Sequence, residues 1–174
     1  MASVTPIIQI YGTDNRIKDT WNVEDIDVHN ADQFESNPLV IYVWNNKNGK
    51  DNIPDLQGAY ITTKNLQGDD INEQAVVDRW VQACVDSEAT PSETNPGTKK
   101  FTRIGGKDDI ATISAQGNLT DTEKKNHTIK GTANEGNLTN DIANYSKITL
   151  KVVPDINALP GIHYFKVRIA GYYL

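Results

Sequence analysis

Two pairs of adjacent carboxylates, Asp69-Asp70 and Asp108-Asp109, are the first residues whose types suggest chemistry. Glycoside hydrolysis needs two carboxylates held on either side of a sugar. Both pairs stand beside turn residues, where neighbouring acids are solvated rather than poised across a cleft. Oxygen-rich turns also suit a hard cation such as calcium. Asp14-Asn15, the stretch Asn48 to Asp51 and Asp69-Asp70 offer such oxygens, but no Asp-x-Asp-x-Asp-Gly loop is present. Neither a catalytic pair nor a metal site is expected.

The remaining reactive side chains are sparse. His29, His127 and His163 lack ligand spacing, and Cys84 is the one cysteine, so zinc and an intrachain disulfide are both excluded. His29 and His127 neighbour Asn residues and read as surface positions. His163 reads as a core or interface histidine with one hydrogen bond. Cys84, near Trp80, reads as a small buried hydrophobe. Gly105-Gly106 is too short for a phosphate loop and reads as a turn. No nucleophile elbow, Walker loop, zinc-protease helix or dinucleotide fingerprint occurs, so no enzyme activity and no cofactor are expected. Asn-x-Ser/Thr sequons at Asn118, Asn126, Asn137 and Asn144 carry no glycan meaning without a secretory signal. Met1 to Tyr11 lacks the basic and apolar regions of such a signal, and no apolar run approaches the roughly 20 residues of a membrane helix. The net charge of −6 and the absence of a basic patch argue against nucleic acid.

The elements that position these residues read as strands. Asn, Asp, Thr and Gly are abundant, and Ile and Val supply most of the apolar content. Such a mixture fits short strands joined by polar turns. Strands are predicted at Thr5 to Tyr11, Trp21 to His29 (weakly alternating), Leu39 to Trp44, Gly58 to Thr63, Ile110 to Ala115, Asn126 to Thr132, Tyr145 to Val153 and Ile162 to Tyr173. Gly12 to Asn15 and Asn48-Gly49 are predicted turns. Within Asp69 to Ser87, Asp70 and Glu73 sit at capping-box spacing and support a helix. Val77, Val81, Ala83 and Val85 alternate with polar residues and support a strand, which is the preferred reading over 70–86. The whole chain is expected to be one domain, 1–174. Its fold would be an all-β, antiparallel, two-sheet sandwich of Ig-like or jelly-roll type with about eight or nine strands. Residues 1–38 are a candidate N-terminal attachment segment, and 87–100 is read as an exposed loop.

Aromatic residues are the remaining candidates for binding. Trp21, Trp44 and Trp80 would be exposed in a sugar platform and buried in a sandwich core, and the core is the preferred reading. Tyr172, Tyr173 and Leu174 place large apolar groups where a partner subunit could cover them, and they form the candidate interface.

A set of segments resembles a known group. Val43-Trp44-Asn45-Asn46-Lys47, Asp55-Leu56-Gln57, Ile61-Thr62-Thr63-Lys64, Trp80-Val81-Gln82, Arg103-Ile104-Gly105-Gly106, Ile129 to Asn134 and Phe165 to Ile169 look like the pattern of small β-rich virion proteins of tailed bacteriophages. The likeness spans about residues 40 to 174, each motif being a strand edge or turn. It implies a structural role on the capsid surface, neck, tail or baseplate, most directly capsid decoration, with no residue assigned to a site. The implied partners are major capsid or tail proteins and further copies of this chain, without nucleic acid or membrane. The implied location is the virion, assembled in the host bacterial cytoplasm. A carbohydrate- or receptor-binding module of a tail fibre or baseplate, contacting a host surface glycan, is the alternative.

Overall fold

The computed structural model describes residues 7–88, 99–138 and 141–173. Eight strands form two antiparallel sheets, an all-β sandwich with two single-turn helices. The strands are β1 (Ile8–Gly12), β2 (Leu39–Asn45), β3 (Leu56–Lys64), β4 (Val81–Val85), β5 (Thr102–Ile104), β6 (Ala111–Thr112), β7 (Tyr145–Val152) and β8 (Lys166–Tyr173). The larger sheet runs β1-β2-β7-β4-β5 and the smaller β6-β3-β8. No helix among the described residues is long and apolar enough to cross a membrane.

Period-two patterning builds the core. In β7, Ile148, Leu150 and Val152 point inward, while Lys147, Thr149 and Lys151 stay half-exposed. Register aligns Ile41 and Val85 on either side of Ile148, and Leu39 and Ala83 on either side of Leu150. These cross-strand rows meet Leu56, Ala59 and Ile61 of β3 from the opposite sheet. Trp44 and Trp80 are buried, and half-buried Trp21 packs edge-on against Phe165 at 6.0 Å. Cys84 is buried, and that burial pushes its thiol up.

Two predicted strands are not strands. Trp21, Val23 and Ile26 do pack on the core, but the step from 23 to 26 breaks the alternation. The chain then folds into a turn, in which Asp27 accepts from His29 and bonds through its own amide to Gln33. The stretch predicted as a strand from Asn126 begins as the C-cap of helix α2 (Asp121–Lys125). His127 is left-handed (φ 46°), so only one bridge forms, Ile129 with Leu56. Helix α2 starts at a capping box, Thr120 with Glu123, which the sequence reading passed over along with β5.

The ambiguous stretch contains both forms. Helix α1 (Gln74–Val77) is capped by Glu73, and left-handed Arg79 (φ 55°) ends it before β4 begins. Asp70 is not part of this cap; it pairs with Lys64 at 3.3 Å. The Asn48 turn forms as expected, with Asn46 and Asn48 at positive φ (66° and 58°), while Gly49 is not. Thr5, most of the loop predicted at 87–100, and Leu174 lie outside the described residues.

Candidate functional site

The predicted carboxylate pairs are turn residues. Gly105 and Asp109 exchange backbone hydrogen bonds, and the Asp109 carboxylate meets exposed Arg79 at 2.5 Å. Asp14 accepts from the amide of Arg16, and Asn15 accepts from Lys47, whose ammonium lies 3.7 Å over the Tyr11 ring. Burial lowers the pKa of Lys47. The carboxylates of Asp14, Asp70 and Asp109 thus each have a partner within the chain. No group of three or more His, Cys, Asp and Glu side chains gathers into a metal site among the described residues.

The densest reactive cluster was not legible from spacing. Glu88 accepts from Thr112 Oγ1 and Ser114 Oγ, each at 2.5 Å, and faces His127 Nδ1 at 2.8 Å. His127 is thus not a plain surface residue. A serine, a histidine and a glutamate in contact suggest nucleophilic catalysis, but the arrangement works against it. The Ser114 hydroxyl gives its proton directly to the carboxylate, and the imidazole turns the same nitrogen to that carboxylate. Glu88 engages three polar groups at once. Ser114 is also 4% exposed, at the wall of a shallow surface pocket that it lines with Glu88, Gln116 and Lys124. The cluster ties the end of β4 to the segment after β6.

A second cluster holds a surface arm. His163 precedes β8 and does not lie on it. Both its ring nitrogens face acceptors: Nδ1 is 2.7 Å from Glu73 Oε1, and Nε2 is 3.0 Å from the Leu159 carbonyl. Only an imidazolium can donate to both. Burial against Trp80, 4.6 Å away between ring centroids, lowers its pKa, but the bonds to Leu159 and Glu73 outweigh burial and leave the pKa raised. Leu159 donates its amide to Gln74 Oε1, and Ala158 donates to the Asp155 carbonyl. Residues 155–164 are therefore a held arm with no regular structure.

That arm carries the largest exposed apolar groups of this region. Ile162 is 80% exposed, Leu159 67%, Tyr164 58% and Ile156 57%. It leads into β8, at the open edge of the smaller sheet. The predicted interface residues lie at the far end of this strand. Tyr172 is half exposed, its ring laid against Gly58. Gly58 has φ 56°, and a Cβ there would come within 2.6 Å of that ring. Tyr173, on the opposite face, packs on the core, and burial raises its phenol pKa. The structure thus places Tyr172 and Tyr173 on opposite sides of the sheet.

No family model, curated protein or solved structure matches the chain. The geometry of the arm and of β8 therefore carries the functional reading. The sequence reading named Tyr172 as an interface candidate and passed over Leu159 and Ile162, because hydrophobicity alone predicts burial. The one available signal was Leu159-Pro160-Gly161-Ile162, apolar residues bracketing a turn.

Proposed function

We propose that this chain is a structural protein of a tailed bacteriophage particle, a capsid decoration or accessory component, acting through protein–protein contacts. The observation that carries this reading is the arm at 155–164. Ordinary surface apolar groups are scattered, whereas here four large ones stand along ten residues fixed at several points. Holding them outward in water costs the isolated chain burial free energy of about 25 cal/mol per Å². A docked partner recovers it without the entropic cost of ordering a loop. In the Glu88 cluster the Ser114 hydroxyl donates to the carboxylate at 2.5 Å and stands 3.5 Å from the imidazole, which is not the geometry of a nucleophile held by its base. The sugar-platform alternative loses its tryptophans to packing.

The test is co-expression with the major capsid and tail proteins of a tailed phage whose genome encodes the chain, followed by sedimentation of particles. The expected result is that the chain pellets with particles, and that Leu159→Asp with Ile162→Asp releases it. Particles that retain the double variant as well as the wild type would remove the arm from the contact. Absence of the wild type from every particle fraction would sink the structural role.

A further inference from the structure

The edges of the two sheets are not equivalent. β5 and β6, three and two residues long, offer almost no ladder. β1 is covered by its own return: Lys18 donates to Ile10, Gly12 donates to Arg16, and Tyr11 bridges Ile17. β8 is eight residues long, and among the described residues no backbone group of 165–173 bonds to any segment but β3. A long uncovered edge is a template for another strand, and natural sheets normally shorten, cover or kink such an edge.

The side chains of β8 suit one occupant. We infer that β8 pairs antiparallel with β8 of a second copy, across a twofold axis at Ala170, joining the smaller sheets into one. This rests on the proposed docking role and names a second copy as the partner of that same edge. A twofold axis perpendicular to the sheet keeps inner faces together, so facing residues must come from the same face. With Ala170 on the axis, the smallest outward side chain meets itself at the closest approach. Arg168 then faces Tyr172 of the second copy, whose ring lies against Gly58 and is within reach of the guanidinium. On the inner side, half-buried Val167 faces Tyr173 and Ile169 faces Gly171, a large group against a small one. No cation meets a cation. An axis at Arg168 would set two guanidinium groups against each other, which is unfavourable. The pairing would cover the remaining exposed surface of Val167, Ile169 and Tyr173.

The register fixes a covalent test. Paired Cα atoms in an antiparallel ladder lie about 4.5–5.5 Å apart, within disulfide range. Cys84 is buried and does not compete. Full-length Ala170→Cys is expected to form a disulfide dimer under mild oxidation. Arg168→Cys and Tyr172→Cys should each remain uncoupled alone and couple when mixed. Ala170→Lys places two ammonium groups on the axis; it should keep the β circular dichroism spectrum and weaken self-association about tenfold or more by sedimentation. An Ala170→Cys chain that folds, keeps its thiol free and sediments as a monomer overturns the pairing. If such a monomer still pellets with particles, the docking role stands without it. A cross-linked dimer that no particle retains overturns the docking role and leaves the pairing.

Discussion

Two regions of this molecule invert the usual rule of burial, in opposite directions. At the end of β2, Asn45, Asn46 and Asn144 are buried. At the arm before β8, Leu159 and Ile162 are exposed. The asparagines answer to the chain itself. Asn46 donates to the carbonyls of Asp51 and Gly131, each at 2.8 Å; Asn45 donates to Pro54 and Ile129; Asn144 donates to Thr132 and Lys130. They replace a strand ladder where loops cross the mouth of the sandwich, satisfying carbonyls that burial would leave unpaired. The arm answers to nothing in the described chain. Its polar groups are bonded at the base and its apolar groups point away. A buried polar group with partners is a device of folding; an exposed apolar group held in place is a device of contact.

The largest expected effect tests the first half of this contrast. Asn46→Ala takes the side-chain donor from the Asp51 carbonyl, removes one of two donors to the Gly131 carbonyl (the Ile53 amide remains), and leaves alanine without a compensating side-chain bond at φ 66°. An unpaired buried carbonyl costs about 1–3 kcal/mol, so the loss should be about 3 kcal/mol in urea unfolding. Asn144→Ala should cost about as much, since it takes the side-chain donor from the Lys130 carbonyl and leaves the Thr132 carbonyl only its bond from Asn134. If either variant loses under about 1 kcal/mol, the asparagines are passengers and the comparison fails.

The latch between the two regimes is next in size. Glu73 caps α1 and accepts from His163, so it joins a core helix to the exposed arm. His163→Gln should destabilise the fold by about 2 kcal/mol at about pH 6, the range for a hydrogen bond to a charged group. The sign follows from the raised pKa. The folded state holds the proton more tightly than the unfolded chain, whose value is near 6.5. The stabilisation is fully present below that value and is lost as pH rises through the higher folded one. The gap between wild type and His163→Gln should therefore shrink by about pH 9, measured as midpoints of denaturant unfolding. A gap that widens with pH would mean that the imidazole acts neutral, with only one of its two bonds.

The sequence made strands legible where burial follows period two. β2 is a β-branched and aromatic run, and β7 alternates residue by residue, so both were found within a residue or two. The polar regions hid their structure for different reasons. Ile129 has strand neighbours, but the local C-cap of α2, in which Asn126 bonds to the Thr122 and Lys124 carbonyls, and the left-handed His127 after it interrupt the strand; the Thr120 to Glu123 capping box was the local signal for that helix. Glu88 meets His127 across 39 positions, a separation that no spacing motif encodes. The exposure of Tyr172 agrees with the alternation of β8; that of Leu159 and Ile162 has no such pattern, because only the bonds of Glu73 and Gln74 hold them outward.

The smallest expected effect is the sharpest test of the second half. Leu159→Ser with Ile162→Ser removes two of the largest exposed apolar side chains of the arm. Neither side chain can form a hydrogen bond, and the anchors of the arm are the Leu159 backbone, Gln74, Glu73 and His163, all retained. The stability of the isolated chain should therefore change by no more than about 0.5 kcal/mol, the usual range for surface positions. Co-sedimentation with particles should fall sharply in the same variant. A loss of 2 kcal/mol or so in the isolated chain would mean that the arm packs on its own body in solution. The exposed leucine and isoleucine would then be as much a part of folding as the buried asparagines, and the division between the two regions would not hold.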